Sequence, residues 1–392
     1  MTTPTTDVDH GAPWYLRLGA WIGVGTAPGA LMAGGGIAAS TSGAWRLPAV
    51  VIGVVGLVTL AVLGGRQGFA TRIPTVGLAR RAFGGRVGER LVALFITVGV
   101  CGWCGIYIGV CAGALDHLWG IHLFVTGMLF GALMLVLYLT GFKRWNLLVG
   151  LTGAASIGVA VLVTRGVIAA PATTDPRLQG PAALVFGAGV VVAYGGVFAL
   201  RAADFTWDAR HSADVVRAGF VLGVSALVFL LLGVEIYSRA GSFDLSTLVN
   251  QTALPAFGVL LLLLASVAPT VSGMHSGALA VHSLVGWSPR AGAALIAAGS
   301  GVLGAARVDL HLLGLLGLLG AAMPPLIGVL LMHRSREASW HAWVSWGAGS
   351  GISLALLLAG YPASVLIGIL TGAATMFVLG VLSVPAKERS HA

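Results

Sequence analysis

The side chains best suited to bind a small molecule are aromatic residues set in apolar, glycine-rich sequence. Trp103 lies in the middle of an apolar segment beside Gly102 and Gly105, and Tyr107 follows one helical turn later. An aromatic ring can stack on a flat heterocycle, which contributes about 1–3 kcal/mol per base in single-stranded nucleic-acid sites. A tryptophan can also pack between helices or anchor at a membrane interface, but Trp103 lies too deep for an interface. We therefore predict that Trp103 binds a flat ring and that Tyr107 lines the same pocket.

Two glycine-rich segments indicate where helices are interrupted. One is GALMAGGG at 29–36, and the other is AYGG at 193–196, which contains Tyr194, Gly195 and Gly196. They fall in the first helices of two successive groups of five apolar segments, and breaks at corresponding positions of two halves mark a midplane binding site in transporters. Unwound backbone there can bind a cation or the edge of a polar solute. Because the chain has 59 glycines, close helix packing is the alternative explanation.

The sequence gives little support for a zinc site, an intramembrane hydrolase or a channel. Cys101 and Cys104 match C-x-x-C, with Cys111 nearby, but a zinc site needs four ligands and no second pair is present. There is no H-E-x-x-H motif, and His275 and Ser276 are adjacent, so they point to different helix faces. No repeated filter motif or charged ring indicates a channel. We expect neither an enzyme nor a cofactor.

Titratable groups within the apolar segments are few. His275 and His282 lie two turns apart on one face of the eighth segment, where an imidazole could relay protons. A neutral histidine bonded to a backbone carbonyl, or lying near the inner surface, is the commoner arrangement. Glu235 lies late in the seventh segment, and no carboxylate lies in the middle of the first, third or eighth.

The composition is that of a membrane protein. Of 392 residues, 57% are hydrophobic and only 9% are charged, whereas soluble domains carry about 25% charged residues. The mean hydropathy is +0.95. A net charge of +9 can indicate nucleic-acid binding, but here the basic residues lie in short connections between apolar segments, as the positive-inside rule describes. We therefore expect the lipid bilayer, and no nucleic acid, as a partner.

The length allows about a dozen membrane spans, because each needs about 20 apolar residues. Twelve segments fit this requirement: 15–39, 47–65, 89–115, 121–140, 145–169, 182–203, 214–238, 254–284, 290–306, 311–332, 341–360 and 363–384. Of the 22 Lys and Arg residues, 17 fall on the side of the N-terminus and five on the other side. This asymmetry predicts a multi-pass protein of the cytoplasmic (inner) membrane with both termini in the cytoplasm.

Five motifs, in their order and spacing, resemble the nucleobase:cation symporter-1 family, and its cytosine permease branch most. The family's G-L…LAR-x-x-FG segment is similar to GF…LARRAFG at 68–84, and its VGWFG to VCGWCG at 100–105. ADF is present at 203–205, LPA at 254–256 opens the eighth span in the family's register, and AAMPPLIG at 321–328 is similar to AAIPPxxG. The resemblance runs from about residue 20 to 330.

This resemblance implies an all-α polytopic fold with about twelve transmembrane helices. They would form a five-plus-five inverted repeat, as in the APC superfamily, followed by two extra C-terminal helices. We accordingly expect a cytoplasmic tail at 1–13, a first repeat at 14–170, a second repeat at 182–332, spans 11 and 12 at 340–384 and a cytoplasmic tail at 385–392. The implied activity is cation-coupled symport of a nucleobase-like heterocycle by alternating access.

The resemblance also implies roles for individual residues. The family's matching tryptophan stacks on the substrate, as expected for Trp103, and Tyr194 falls within one residue of a second family aromatic. The eighth span departs from the family, because Leu263 stands at its substrate-binding asparagine, and Ser266 and Val267 stand at two sodium-binding threonines. A same-fold transporter of hydroxymethylpyrimidine, allantoin or a hydantoin is therefore the alternative to a cytosine transporter.

The coupling cation is expected to be sodium or a proton. In the implied fold, backbone carbonyls around Gly29, Met32 and Ala33, together with Ser266, would form a partial sodium site. Further along the eighth span, Thr270 adds a hydroxyl. The predicted substrate-binding set is Trp103, Tyr107, Tyr194, Gly195, Gly196 and Thr270.

Overall fold

The computed structural model describes Tyr15 and residues 18–140, 145–166, 178–333 and 339–383, and over these residues the fold is all-helical. The predicted tails at 1–13 and 385–392 lie outside this part of the chain. The α-helices are α1 Leu18–Gly25, α2 Pro28–Ser40, α3 Gly43–Thr71, α4 Thr75–Ala82, α5 Gly85–Trp119, α6 Leu123–Leu139, α7 Trp145–Gly166, α8 Gly180–Leu200, α9 Ser212–Ala240, α10 Leu245–Asn250, α11 Pro255–Val285, α12 Pro289–Ala305, α13 Leu312–Met332, α14 Ser339–Leu358 and α15 Ser364–Leu382.

The chain is a multi-pass membrane protein. Within the described ranges, nine helical stretches are long and apolar enough to cross a bilayer, counting α1 and α2 together as one. The shorter or less apolar α6, α12 and α14 coincide with the other three predicted spans. Large apolar side chains cover the outside, as lipid contact requires; Leu129, Phe220 and Leu358 are each more than 60% exposed. The predicted fold class is confirmed.

The two groups of five spans pack on each other reciprocally. The second span of the first group, α3, packs along α8, the first span of the second group. In the same way α9, the second span of the second group, packs along α1 and α2. The third spans, α5 and α11, pack together, as do the fourth spans, α6 and α12. Since five spans separate equivalent helices, the equivalents run in opposite directions, as in an inverted repeat. The limits 14–170 and 182–332 stay predictions.

Span 1 is broken, but not within the glycine-rich segment where the break was predicted. The chain leaves the helix at Thr26 and Ala27 and enters a new helix at Pro28. Residues 29–36 are all helical and buried inside α2. Pro28 is the physical cause, because proline has no N–H for the preceding turn and its fixed φ suits the first position of a new helix.

Span 6 is continuous, so the prediction of a break at 193–196 is wrong. The helix α8 runs without interruption from Gly180 to Leu200, and a short 3-10 helix, Ala202–Phe205, follows it. Gly195 and Gly196 are packing residues. A Cβ on Gly195 would lie 2.2 Å from the Leu57 side chain of α3, and one on Gly196 would lie 3.4 Å from Pro324 of α13.

The glycines of α2 bring this helix into backbone contact with α9. A Cβ on Gly34 would lie 2.0 Å from the carbonyl oxygen of Leu230. A Cβ on Gly233 would lie 2.0 Å from the carbonyl oxygen of Leu31. Only glycine fits at either position, which is the small-residue packing that membrane helices use in place of a hydrophobic driving force.

We predict that Gly233→Ala lowers the free energy of unfolding by about 1–3 kcal/mol, because the added methyl group pushes α9 away from α2. The measurement is thermal unfolding of the purified protein in detergent. Gly314→Ala on α13 is the matched control, since no atom lies within 4 Å of its Cβ position. Equal melting temperatures for Gly233→Ala and Gly314→Ala would contradict the close crossing.

Candidate functional site

The break in span 1 leaves a backbone carbonyl that a side chain of α8 satisfies. In a continuous helix the Val24 carbonyl would accept a hydrogen bond from residue 28, but Pro28 has no N–H. The Tyr194 hydroxyl donates to this carbonyl instead, and the Ala27 N–H adds only a long hydrogen bond of 3.4 Å. A buried carbonyl without a partner is costly, so the bond fixes Tyr194, itself only 3% exposed, against the break.

Three aromatic rings meet at this break. Trp103 stacks with Tyr107 at a centroid distance of 5.9 Å and an interplanar angle of 27°. It meets Tyr194 edge-on, at 5.2 Å and 89°. The start of α2 lies directly against the indole, because a Cβ on Gly29 would be 2.8 Å from the Trp103 ring. The structure thus brings together the three aromatic residues that the sequence singled out.

A cavity of about 650 Å³, including its open mouth, extends from these rings. It lies between α1, α5, α8 and α11, and Trp103, Tyr107 and Tyr194 all line it. Gly19 and Gly23 of α1 line it as well, so it extends along the first half of span 1 toward the membrane face where α1 begins. We call this face the N-terminal face.

The other predicted substrate residues do not line this cavity. Gly195 and Gly196 face α3 and α13, as described above. Thr270 of α11 is fully buried, and its hydroxyl donates to the Ser266 carbonyl at 2.6 Å. The neighbouring α11 residues Pro269 and Ser272 line the cavity instead.

Hydroxyl groups stabilise α11 where a proline interrupts its hydrogen bonding. Pro269 lies inside the helix and cannot donate to the preceding turn. Beside it, the Thr152 hydroxyl of α7 inserts into the backbone ladder. It accepts from the Ala268 N–H at 3.3 Å and donates to the Leu264 carbonyl at 3.2 Å. Thr152 therefore pins α7 to α11 at the level of the cavity.

None of the predicted cation ligands lies on unwound backbone. Gly29, Met32 and Ala33 are buried within the regular helix α2, so their carbonyls belong to intrahelical bonding and not to unwound chain. The Ser266 hydroxyl on α11 is buried and donates to the Leu262 carbonyl at 2.9 Å. The helices α2 and α11 do touch. The free backbone at the break lies three residues before Gly29.

The titratable residues predicted near the pore do not line this cavity, although His275 lies within electrostatic range of Arg201. His282 is exposed, and its Nδ1 lies 2.8 Å from the Trp287 carbonyl, which is the backbone-bonded alternative. His275 is exposed and faces the Tyr138 ring at 6.1 Å. Glu235 pairs with Arg239 at 2.6 Å, and both side chains are about half exposed.

A charged cluster ties helices together on the face opposite the N-terminal face. Arg307, between α12 and α13, bonds to Asp309 at 3.0–3.2 Å and to the Ser246 hydroxyl of α10 at 2.8 Å. It also lies 3.7 Å from Asp244. Burial lowers the pKa of Arg307, but its hydrogen bonds to Asp309 and the charges of both carboxylates outweigh burial and raise it overall. Arg307 therefore stays charged and holds α10 against the start of α13.

Arg201 is a cavity residue that sequence reasoning missed. Its position near the end of the predicted span 182–203 groups it with the basic residues on the side of the N-terminus. It is only 5% exposed, however, and lines the cavity. The signal that could have found it is spacing, because Arg201 follows Tyr194 by seven residues, or two turns on one face of α8.

No protein-family model matches the chain, and no curated protein sequence matches it. Solved structures match over nearly its whole length. Mhp1, a nucleobase-cation-symport-1 family transporter, closed with bromovinylhydantoin bound, matches at a TM-score of 0.68 and 15% identity over 97% of this chain and 95% of that chain. The inward-facing conformation of Mhp1 matches at a TM-score of 0.71 and 16% identity, over 94% of this chain and 90% of that chain.

A Na⁺-coupled sialic acid symporter in a substrate-bound outward-open state matches at a TM-score of 0.65 and 13% identity, over 94% of this chain and 90% of that chain. These proteins are transporters and not enzymes. At such identities the likeness shows the fold, and this chain has an Mhp1-like transporter fold.

We predict that Tyr194→Phe lowers the free energy of unfolding by about 1–3 kcal/mol, since it keeps the ring but leaves the buried Val24 carbonyl with only the long bond from the Ala27 N–H. Thermal unfolding in detergent measures the change. Tyr361→Phe serves as the control, because Tyr361 is 53% exposed. If both variants melt like the unmodified chain, the hydroxyl does not hold the break.

Proposed function

We propose that this protein is a secondary transporter of the nucleobase:cation symporter-1 type, which moves a flat, nucleobase-like heterocycle together with a cation. The observation that carries the proposal is the meeting of Trp103 and Tyr194 at a broken first span, in the wall of a cavity within an Mhp1-like fold. Broken helices beside a central cavity are where such transporters bind substrate.

The cavity suits a flat ring for chemical reasons. The faces of Trp103 and Tyr107 offer stacking surface, and stacking contributes about 1–3 kcal/mol per base in nucleic-acid sites. The Ser272 hydroxyl of α11 lines the cavity and supplies a polar group for the edge of the ring. In this proposal Ser272 replaces Gly195, Gly196 and Thr270 as a polar contact to the substrate.

The substrate within this class is left to experiment. Mhp1 was solved with a bound hydantoin derivative, which supports a five- or six-membered heterocycle for this chain too. Cytosine stays a candidate, but Leu263 and Val267 replace polar family residues on α11. Hydroxymethylpyrimidine, allantoin and hydantoin are the alternatives.

The cation is proposed to bind near the break between α1 and α2, against α11. One similar structure is a Na⁺-coupled symporter, which supports sodium, and a proton is the alternative. Over the described ranges no group of three His, Cys, Asp or Glu side chains is placed to hold a metal ion. Neutral oxygens, including that of Ser266, would therefore be the ligands. A cation that favours the substrate-binding state raises substrate affinity by linkage.

Alternating access is proposed to work across the two faces described above. The cavity extends toward the N-terminal face, while the Arg307 cluster ties the opposite face. The distribution of Lys and Arg supports a cytoplasmic N-terminal face and a location in the cytoplasmic membrane.

We predict that proteoliposomes containing the protein take up radiolabelled cytosine, or a competing heterocycle, faster under an inward sodium gradient, with a proton gradient tested in parallel. Competitors are uracil, adenine, allantoin, hydantoin and hydroxymethylpyrimidine. Trp103→Ala should weaken binding by about five- to 150-fold, the equivalent of one lost stacking contact.

Trp119→Ala is the matched control, because Trp119 ends the same helix α5 and is 62% exposed. It should transport like the unmodified protein. If neither cytosine nor any competitor is bound or moved, the proposed substrate class is wrong. If uptake occurs but Trp103→Ala leaves it unchanged, the stacking role is wrong.

A further inference from the structure

The cavity carries a single charged side chain and no acidic one. Among the described residues that line it, Arg201 alone is charged, and the remainder are apolar, aromatic or neutral polar. Arg201 is 5% exposed, so its charge is largely removed from water. A low-dielectric cavity with one cation in its wall attracts an anion.

The guanidinium of Arg201 is only partly satisfied by the protein. Its Nη2 donates to the Ser276 hydroxyl of α11, and its Nε is buried without any hydrogen-bond partner. Arginine presents five N–H donors, and none can be removed by deprotonation under ordinary conditions. Arg201 lines the cavity, and Ser276 follows the lining residue Ser272 by one turn on α11.

No protein carboxylate forms an ion pair with Arg201 within the described ranges. The nearest acid in sequence, Asp204, lies within electrostatic range of Arg201 and accepts a hydrogen bond from the Thr75 N–H at 2.7 Å. On its other side, the Arg201 guanidinium lies 5.2 Å from the centre of the Phe205 ring. An aromatic face and one serine hydroxyl hold the group in place, and Asp204 offsets its charge without pairing with it directly.

Burying such a cation is costly unless an anion compensates it. Arg201 thus differs from Arg307, which is compensated by Asp309 and Asp244 on the opposite face. Arg201 lines the same cavity as the stacking surface for a flat ring. A negatively charged ligand there would form the direct ion pair that the protein itself does not supply.

We propose that Arg201 binds a carboxylate carried by the heterocyclic substrate, so that the transported class is a planar heteroaromatic acid and not a neutral base. This inference rests on the proposed function and specifies its substrate. Tyr194 and Arg201 lie on one face of α8, about 10.5 Å apart along the helix axis. A heterocycle that stacks on Trp103 and carries a carboxylate can reach toward Tyr194 and Arg201. The guanidinium can donate two parallel hydrogen bonds to that carboxylate.

The test compares matched acids and neutral analogues on the full-length protein in detergent by isothermal titration calorimetry. The pairs are uracil-6-carboxylate against uracil, and pyridine-3-carboxylate against pyridine-3-carboxamide. The unmodified protein should bind the acid of at least one pair about tenfold more tightly or better, as expected for a charged hydrogen bond. In Arg201→Gln the affinity for the acid should fall to about that for its neutral analogue. Arg201→Lys should keep part of the preference for the acid.

Arg66→Gln, an exposed arginine of α3, is the matched control and should keep the ratio of the unmodified protein. Equal binding of acids and neutral analogues by the unmodified protein would overturn the inference and leave the proposed function standing, and this result needs no variant. A preference for acids that survives in Arg201→Gln would overturn the role of Arg201. If no member of either pair binds, the proposed heterocycle class fails as well.

Discussion

The whole arrangement depends on backbone hydrogen bonding in a place without water. Within a bilayer every carbonyl needs a partner from the protein, and Pro28 removes the donor that Val24 would otherwise use. The Tyr194 hydroxyl supplies it, so the first span of one helix group is joined to the first span of the other. This bond places the Tyr194 ring edge-on to Trp103, and both rings line the cavity.

Small residues let the two helix groups approach closely enough for this to happen. Gly34 and Gly233 bring the backbones of α2 and α9 together, and Gly29 lets the start of α2 lie against Trp103. Thr152 fixes α7 to the interrupted ladder of α11 on the other wall. Polar side chains in this bundle mostly bond to backbone carbonyls of their own or a neighbouring helix. Several buried polar atoms of the described residues lack a partner, and Arg201 Nε is the one whose residue lines the cavity, where we propose that it gives the cavity a chemical preference.

Much of the fold could be predicted from the sequence, because twelve long apolar segments indicate a polytopic membrane protein. The aromatic part of the site could be predicted because Trp103 lies in the middle of one such segment, too deep for a membrane interface. The breaks could not be placed from glycine alone, since a glycine that permits unwinding and one that permits close packing look the same in sequence. Pro28 was the stronger signal, as it removes a specific donor. Gly195 belongs to a regular helix because Leu57 packs where its side chain would be. Arg201 was misassigned because its depth depends on where α8 ends.

A single cysteine at Gly23 is the most direct probe of whether the cavity opens to one membrane face at a time. Gly23 lines the cavity and has no atom within 4 Å of its Cβ position, so a cysteine fits there once Cys101, Cys104 and Cys111 are replaced by alanine. The measurement is the rate of alkylation by a membrane-impermeant maleimide, applied separately to each membrane face, with and without heterocycle and sodium. Because the cavity extends toward the N-terminal face, we expect labelling of Gly23→Cys from that face, at a slower rate when a heterocycle is bound. Labelling that no heterocycle and no cation alters, or that occurs equally from both faces at once, would contradict alternating access of the cavity.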